Sequence, residues 1–560
     1  LPLFWAESGL GRAFVYTRFI PEPIWRSREV VSMVAAKEVI TAAESAKFQV
    51  DDSLRFQQFQ KLLRDRWLST DEFDTQERHI VVVPSLSLDQ EELQKIEGVN
   101  HYEERLLFSL IRLRNPNTHI VYVTSQPLHP SIIDYYLELL PGIPSSHARD
   151  RLKLFATYDA SRKPLSQKVL ERPRLLERIR KAVDPERAYM TCYNSTPWER
   201  ELSLALGLPL LALDPDLLYW GTKSGSREIF KRCGVPHPIG SELVFSEAEL
   251  AAVTAEVWEQ DPSLKRIVIK LNEGFSGEGN ALLDLRKIQD FAPGSADHGD
   301  RVRAIAEAFS CLSFQCDTET WEHFSAKIPV LGAIAEAFVE GDHKESPSVQ
   351  GRITPLGEVE ILSTHDQELG GPDGQIFLGC SFPARPDYRL AIQEMGQRVG
   401  EELARQGALE RYGVDFIAVA KGDPEHPEWD LQAIEINLRK GGTTHPLMAM
   451  KMLTEGRFHQ ADGLFYTKQE QVRYYRASDN LQKPHYKGLL PSDLMDIIVT
   501  KQLHFNSISG VGAAFHLMGC LSEYGKVGLT CIGTSPDHAR EIYDQVVEAL
   551  DESTLGHHPD

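Results

Sequence analysis

The sequence predicts a multidomain protein of α/β and α+β class. Three observations carry that expectation. Short β-branched apolar runs alternate with helical segments over residues 76–215. A lysine-bearing strand, a glycine-rich turn and a carboxylate-bearing hairpin follow one another within residues 216–470. Two strand-like runs between helices fill residues 471–560. Alternation of short buried strands with helices signals a parallel sheet. A chain of 560 residues has room for about three to five domains.

Composition narrows the functional classes. With 42% apolar and 25% charged residues, the chain is neither disordered nor fibrous. The 81 Asp+Glu against 60 Lys+Arg give a net charge of −21. That argues against a general nucleic-acid binder, because phosphate neutralisation needs a basic surface. The richest apolar stretch, Leu202 to Trp220, is broken by Pro209, Asp214, Pro215 and Asp216. It falls short of the roughly 18 continuous apolar residues of a membrane span. No basic leader with a short apolar core opens the sequence, and a cytoplasmic location is expected. The seven cysteines (Cys192, Cys233, Cys311, Cys316, Cys380, Cys520, Cys531) are odd in number and never spaced C-x-x-C. Free thiols are expected rather than disulfides or a structural zinc.

The elements follow in order. Residues 1–75 read as a helical extension: Leu1–Arg28 is aromatic and Pro-punctuated, and Val31–Phe48 and Ser53–Trp67 are amphipathic. Their role is open between an added helical layer and a homodimer contact. From His79 to Ser87 a buried strand runs into a turn, and Gln90–Arg114 reads as a helix. Further strands are expected at His119–Ser125, Leu152–Asp159, Ala188–Ser195 and Leu208–Asp214, with helices at Ile132–Leu140, Arg172–Val183 and Trp198–Leu206. The Ser-rich strand ends suit ligand binding, but G-x-G-x-x-G is missing after the first strand, so no dinucleotide fingerprint is present. Near the end, Pro491–Lys501 reads as a helix capped by Ser492. Gly512–Leu521 and Lys526–Ser535 read as strands, and Ser535–Leu550 as a closing helix.

Five segments carry chemistry. In the first, the strand Ile267–Ile269 delivers Lys270 ahead of Gly274, Ser276, Gly277 and Gly279. Glycines let backbone N–H groups close over phosphate oxygens, and the lysine adds a point charge. The alternative is a Gly-rich hairpin with a solvated lysine. In the second, Lys223 precedes a helix expected over Ser226–Cys233 and stopped at Gly234. Taken alone it reads as an exposed helix-start residue. In the third, Ala333–Val339 holds Glu336 and Ala337 and leads to Gly341, with Glu345, Ser348 and Gln350 beyond. Extended backbone can pair with an adenine edge and an acid can accept from ribose; an edge hairpin with solvated acids is the plainer account.

The fourth segment is a hairpin. Asp415 opens one apolar strand, and Glu435 and Asn437 lie on the next, joined through Lys421–Glu428. Positions i and i+2 share one strand face. Three oxygen side chains on adjacent strands suit Mg²⁺, which keeps room for water and phosphate. Arg439, Gly441 and Gly442 follow at once, then Thr443, Thr444 and His445. The alternative pairs Glu435 with an arginine such as Arg439. In the fifth, Ser363 to Gln367 contains His365, Asp366 and Gln367, which read as substrate-positioning groups, as acid/base machinery or as a satisfied polar loop.

Taken in this order, the pieces resemble the ATP-grasp superfamily over about 230 residues. Lys223 and Lys270 match its two phosphate-contacting lysines, Glu336 to Gly341 the adenine-holding hinge, and Asp415, Glu435 and Asn437 the magnesium ligands. The strings SPSVQ, LSTHDQ, GCSFPA, EINLR and GGTTHP, with Lys487 to Leu550, look like the pheganomycin-type peptide ligases. The resemblance implies a pre-ATP-grasp parallel α/β domain (76–215), a two-lobed ATP-grasp domain (216–470) and a C-terminal α+β domain (471–560).

It further implies an ATP-dependent carboxylate–amine ligase that works through an acyl phosphate and releases ADP and phosphate. ATP and one or two Mg²⁺ ions are the expected cofactors, with Mn²⁺ able to substitute. Lys223, Lys270, Gly274, Ser276, Gly277, Gly279, Glu336, Ala337, Val339 and Glu345 would bind nucleotide. Lys270, Arg439, Gly441 and Gly442 would stabilise charge, and His365, Asp366, Gln367, Thr443, Thr444 and His445 would line the acceptor side. The expected substrates are a small carboxylate and an amine, with neither nucleic acid nor membrane as a partner. Acid–thiol ligation or carboxylation on the same fold is the competing enzyme reading, and a nucleotide-binding regulatory scaffold the non-enzyme one.

Overall fold

The computed structural model describes residues 52–67, 77–88, 90–93, 96–140, 142–273, 279–314, 319–370, 376–423 and 426–555. The chain divides into two compact units, residues 1–55 and 56–560. In the first, residues 52–55 are described and helical; in the second, residues 56–65 are helical, as expected over Ser53–Trp67. The helix expected over Val31–Phe48 lies outside the described residues.

Strands β1 (Arg78–Val83), β2 (Thr118–Thr124), β3 (Leu152–Ala156), β4 (Ala188–Cys192) and β5 (Leu210–Leu211) form a parallel sheet in the order β3-β2-β1-β4-β5. Its inner strands β1 and β2 are largely apolar because both faces are covered, whereas the edge strand β3 is partly exposed and carries Lys153. Val81 and Val83 pack with Phe56, Leu165 and Ile179 on one side, and Ile80 and Val82 with Leu107 and Leu110 on the other. The Gln60 amide donates to the Leu210 carbonyl (2.9 Å) and accepts from its N–H (3.1 Å), which occupies the edge of β5. The helix expected over Gln90–Arg114 is instead a short turn of helix, Gln90–Leu93, and a 3₁₀ helix, Val99–Arg114. Gly98 separates them with φ 75°, and a Cβ there would lie 2.8 Å from Cys520 Sγ. A left-handed backbone and a tight contact both call for glycine.

A second, antiparallel sheet joins β6 (Arg266–Leu271), β7 (Asn280–Asp284), β8 (Ser313–Phe314) and β9 (Ala333–Ala337) in the order β8-β7-β6-β9. Helix Glu247–Gln260 packs against it through fully buried Trp258 and Leu250.

The largest sheet has eleven strands among the described residues: β10 (Lys344–Glu345), β11 (Pro347–Ile353), β12 (Val359–Gly370), β13 (Ile376–Phe382), β14 (Glu410–Lys421), β15 (Glu428–Asn437), β16 (Arg457–His459), β17 (Leu464–Tyr466), β18 (Val472–Gln482), β19 (Gly512–His516) and β20 (Lys526–Gly533). Its spine runs β15-β14-β11-β12-β13-β18-β20-β19. Helix Arg389–Arg405 covers one face, where Gly396 and Gly400, one turn apart, admit Val349 and Tyr412. The Tyr412 hydroxyl donates to the Gly396 carbonyl at 2.9 Å. The boundary expected at 470 falls between two strands of this sheet, because β18 pairs with β13. In the C-terminal region, helix Pro491–Thr500 is preceded by Leu490 rather than capped by Ser492. The strand expected over Gly512–Leu521 ends at His516, before helix Cys520–Tyr524. The closing helix runs from Pro536 to Leu555.

The six described cysteines are free thiols. No helix among the described residues is long and apolar enough to cross a membrane.

Candidate active site

The hairpin β14–β15 brings the three oxygen side chains together. Asp415 pairs with Glu435 and Gly413 with Asn437, as the alternation within each strand requires. Asn437 Nδ2 donates to one Asp415 carboxylate oxygen (2.8 Å) and Gln367 Nε2 to the other (2.7 Å). Burial, and then the charge of Glu435, push Asp415 up to about 6, against the lowering effects of Gln367, Arg439 and Lys223. Two neighbouring acids at a shielded point leave a deficit of positive charge.

Lys223 answers part of that deficit, its Nζ bonding Glu435 Oε1. The lysine opens helix Lys223–Cys233 rather than preceding it, because Thr222 supplies the cap to the Gly225 N–H (3.1 Å). Gly225 has no room for a side chain: a Cβ would sit 2.0 Å from the Tyr219 carbonyl. Two ties fix the helix. Ser226 Oγ accepts from the Ile436 N–H (3.0 Å), between Glu435 and Asn437, and Asn272 accepts from the N–H groups of Lys223 (3.1 Å) and Ser224 (2.9 Å) just beyond β6.

Lys270 is buried on β6 and bonds Glu336 on neighbouring β9. Arg227, one turn along the helix from Lys223, donates to the other oxygen of Glu336 at 2.8 Å. Burial pushes Glu336 up, but the charges of Lys270 and Arg227 outweigh it and hold the carboxyl below its usual value. Glu336 is therefore the counter-ion of Lys270, where the sequence suggested a ribose or adenine contact. The rest of the hinge is partly engaged. The Ala337 N–H bonds the Ile239 carbonyl (2.8 Å), and the Val339 carbonyl accepts from Lys344 (3.2 Å). Glu345 lies 3.7 Å from Arg385. Gly274, Ser276 and Gly277 lie outside the described residues; the Gly279 carbonyl accepts from the Leu271 N–H at 2.8 Å.

Several expected substrate contacts are placed elsewhere. His365 is fully buried, hydrogen-bonded to Tyr475 and close to the Phe382 ring, and burial pushes it down to about 3. Asp366, on the opposite face from Gln367, accepts from Tyr388 Oη (2.6 Å) and the Arg385 N–H (2.9 Å). His445 is 3% exposed, 3.0 Å from Tyr136 Oη and stacked on His516 at 4.0 Å. Thr443 is buried, and Thr444 accepts from the Gly441 N–H (3.0 Å), so that donor is already engaged. Gly442 abuts the Phe377 ring, and Arg439 Nη1 is 3.4 Å from the Lys440 carbonyl. Of Ser363–Gln367, the contact with Asp415 comes from Gln367. Arg227, Asn272 and Ser226 were not legible as site residues; the helical spacing from Lys223 to Arg227 is the one signal that points to any of them.

Comparison with known proteins gives the family. A family model described as IQCH-like, ATP-grasp matches residues 217–297, and one described as the PGM1 C-terminal domain matches residues 493–546. The chain is 30% identical to L-propargylglycine–L-glutamate ligase of Streptantibioticus cattleyicolor over 468 residues, covering 82% of this chain and 91% of the relative. It is 24% identical over 416 residues to IQ motif-containing protein H of Danio rerio, covering 68% of this chain and 39% of that longer protein. Among solved structures, the biotin carboxylase domain of Hydrogenobacter thermophilus 2-oxoglutarate carboxylase aligns with a TM-score of 0.49 at 13% identity, over 85% of this chain and 90% of its own. On the 30% identity to the Streptantibioticus ligase over 82% of its own length, the chain belongs to the ATP-grasp family of ATP-dependent ligases.

Proposed function

We propose that the enzyme joins the carboxylate of one amino acid to the amine of another through an acyl phosphate, releasing ADP and phosphate. The supporting observation is the meeting of Lys223 with Glu435 beside half-buried Asp415. A cation from a helix start and two acids from a hairpin converge on one point. The printed name of the Streptantibioticus relative speaks of L-propargylglycine and L-glutamate; only the class, two amino acids, is carried to this chain.

Asp415, Glu435 and Asn437 would hold Mg²⁺. Their donor set fits: hard oxygens, with two adjacent acids whose repulsion Lys223 relieves only in part. When bound, the ion neutralises charge on the phosphate chain. Lys223 and Lys270 would each exchange a carboxylate partner for phosphate oxygens of ATP. Ala337, Val339 and Glu345 would hold the adenosine. Gly274, Ser276, Gly277 and Gly279 would serve the phosphates of ATP and keep water from the acyl phosphate. Arg439 orients the reacting carboxylate, and the Gly442 N–H is the donor offered to the tetrahedral oxygen.

The test is ADP release by the full chain with MgATP and pairs of L-amino acids, glutamate among them, with mass spectrometry of the product. Transfer of ¹⁸O from the labelled carboxylate to phosphate, together with a dipeptide, is the expected result. AMP and pyrophosphate, or a thioester or carboxylated product in place of an amide, would overturn the reading.

A further inference from the structure

At the amino ends of β1 and β2, His79 and His119 are directly paired residues. Their imidazoles stack with centroids 4.7 Å apart and planes 7° from parallel. Glu77, one residue ahead of β1, directs Oε1 to within 3.2 Å of His79 Nε2 and 3.8 Å of His119 Nε2. One ligand atom from each of the three lies within 4.8 Å of the other two. This is the only such His/Cys/Asp/Glu group among the described residues.

We propose that Glu77, His79 and His119 form a binding site for a divalent transition-metal ion of the zinc class, which clips the amino ends of β1 and β2 to the chain entering them. Two imidazoles and one carboxylate are the donors Zn²⁺ prefers, with water completing a four-coordinate shell. Zn–N distances near 2.0–2.1 Å and a tetrahedral angle draw the nitrogens to about 3.4 Å apart. Arg187 bonds Oε2 of Glu77, which orients Oε1 toward the rings and supplies the outer support that metal ligands usually have. The cost is one long contact: the Asp184 N–H approaches His79 Nδ1 at 3.4 Å and is displaced when a metal on Nε2 moves the ring proton to Nδ1. His79 is buried, whereas Glu77 and His119 are open enough for an ion to enter. The site stands at the opposite end of the parallel strands from Cys192, whose carbonyl accepts from Lys440, three residues beyond Asn437 (2.7 Å). It is therefore independent of the ligase chemistry.

The experiment uses the full chain, freed of metal with a chelator and titrated with Co²⁺ and then Zn²⁺. One equivalent of Co²⁺ should give the visible absorption of a four-coordinate ion, displaced by Zn²⁺, and Zn²⁺ should raise Tm. His119→Ala, at a half-exposed position, should fold but lose both responses. Arg187→Ala should bind roughly 10–100-fold more weakly. Absence of the absorption in wild type, or its persistence at equal strength in His119→Ala, would overturn the site. Because neither readout involves ATP, failure here leaves the ligase assignment untouched.

Discussion

Lys223 is bonded to Glu435, so a lysine expected to meet phosphate rests on a carboxylate expected to meet magnesium. The pair holds the helix start against the hairpin and keeps Glu435 neutralised beside Asp415. In the proposed reaction, nucleotide with its metal would replace both halves of the pair at once. Lys223→Ala should lower kcat/KM for the ligase reaction by roughly 10²–10³, the usual loss for one preorganised donor. Steady-state kinetics on a variant shown by circular dichroism to be folded checks it; near-normal turnover would make Lys223 a structural residue.

The Lys270–Glu336–Arg227 cluster makes an asymmetric stability prediction. Removing Glu336 strands two cations in a buried place, and Glu336→Ala should cost about 3–5 kcal/mol. Lys270→Ala leaves Glu336 paired with Arg227 and should cost distinctly less, while still reducing turnover. Urea denaturation of both variants measures the difference. Equal losses would mean that Arg227 does not sustain the acid alone.

Asp415 gives a pH dependence whose sign follows from its raised value. Its folded carboxyl titrates near 6, above the 3.8 of the unfolded chain. Between those values the folded state binds the extra proton, so this group's contribution to stability falls as pH rises through the window. Asp415→Asn should therefore be more stable than wild type above pH 6 without metal, with the gain fading toward pH 4. Mg²⁺ affinity should move the other way and weaken below pH 6, because the ligand must lose its proton. Thermal melts and Mg²⁺ titrations across pH 4–8 test both halves; a pH-independent difference between variant and wild type would contradict the assignment.

His365 supplies a control. Buried against Tyr475 and held neutral, it should be able to change without touching the chemistry. His365→Gln should cost roughly 1–3 kcal/mol, the price of an imperfectly satisfied buried site, while leaving KM and the pH profile unmoved. A displaced pH–rate profile would return His365 to the reaction.

The reach of the sequence is clear from these same residues. Asp415, Glu435 and Asn437 were legible because a two-residue strand period and a hairpin loop suffice to bring them together. Lys270 was legible from its strand and the glycines after it. The partner of Lys270 was not, since Glu336 lies 66 residues on and the choice between nucleotide and lysine depends on the register of β6 with β9. His365 and His445 were read as lining the acceptor side because polar residues beside a site resemble polar residues within it. Only the packing of Tyr475, Phe382, Tyr136 and His516 over them decides the matter. The break at Gly98 was equally hidden, being imposed by Cys520, far along the chain.

The pairing of β13 with β18 bears on how the protein can be cut. A fragment ending near residue 470 would contain the proposed nucleotide residues, yet it would bare the backbone edge of β13 over Gly379 to Phe382. It would also remove the apolar cover that Leu529, Ile532 and Val546 give the shared core. An open, apolar strand edge recruits strands from other chains, so such a fragment would be prone to aggregation rather than a minimal enzyme. The last ninety or so residues are for that reason not a detachable accessory: they finish the sheet on which the hairpin of Asp415, Glu435 and Asn437 is built.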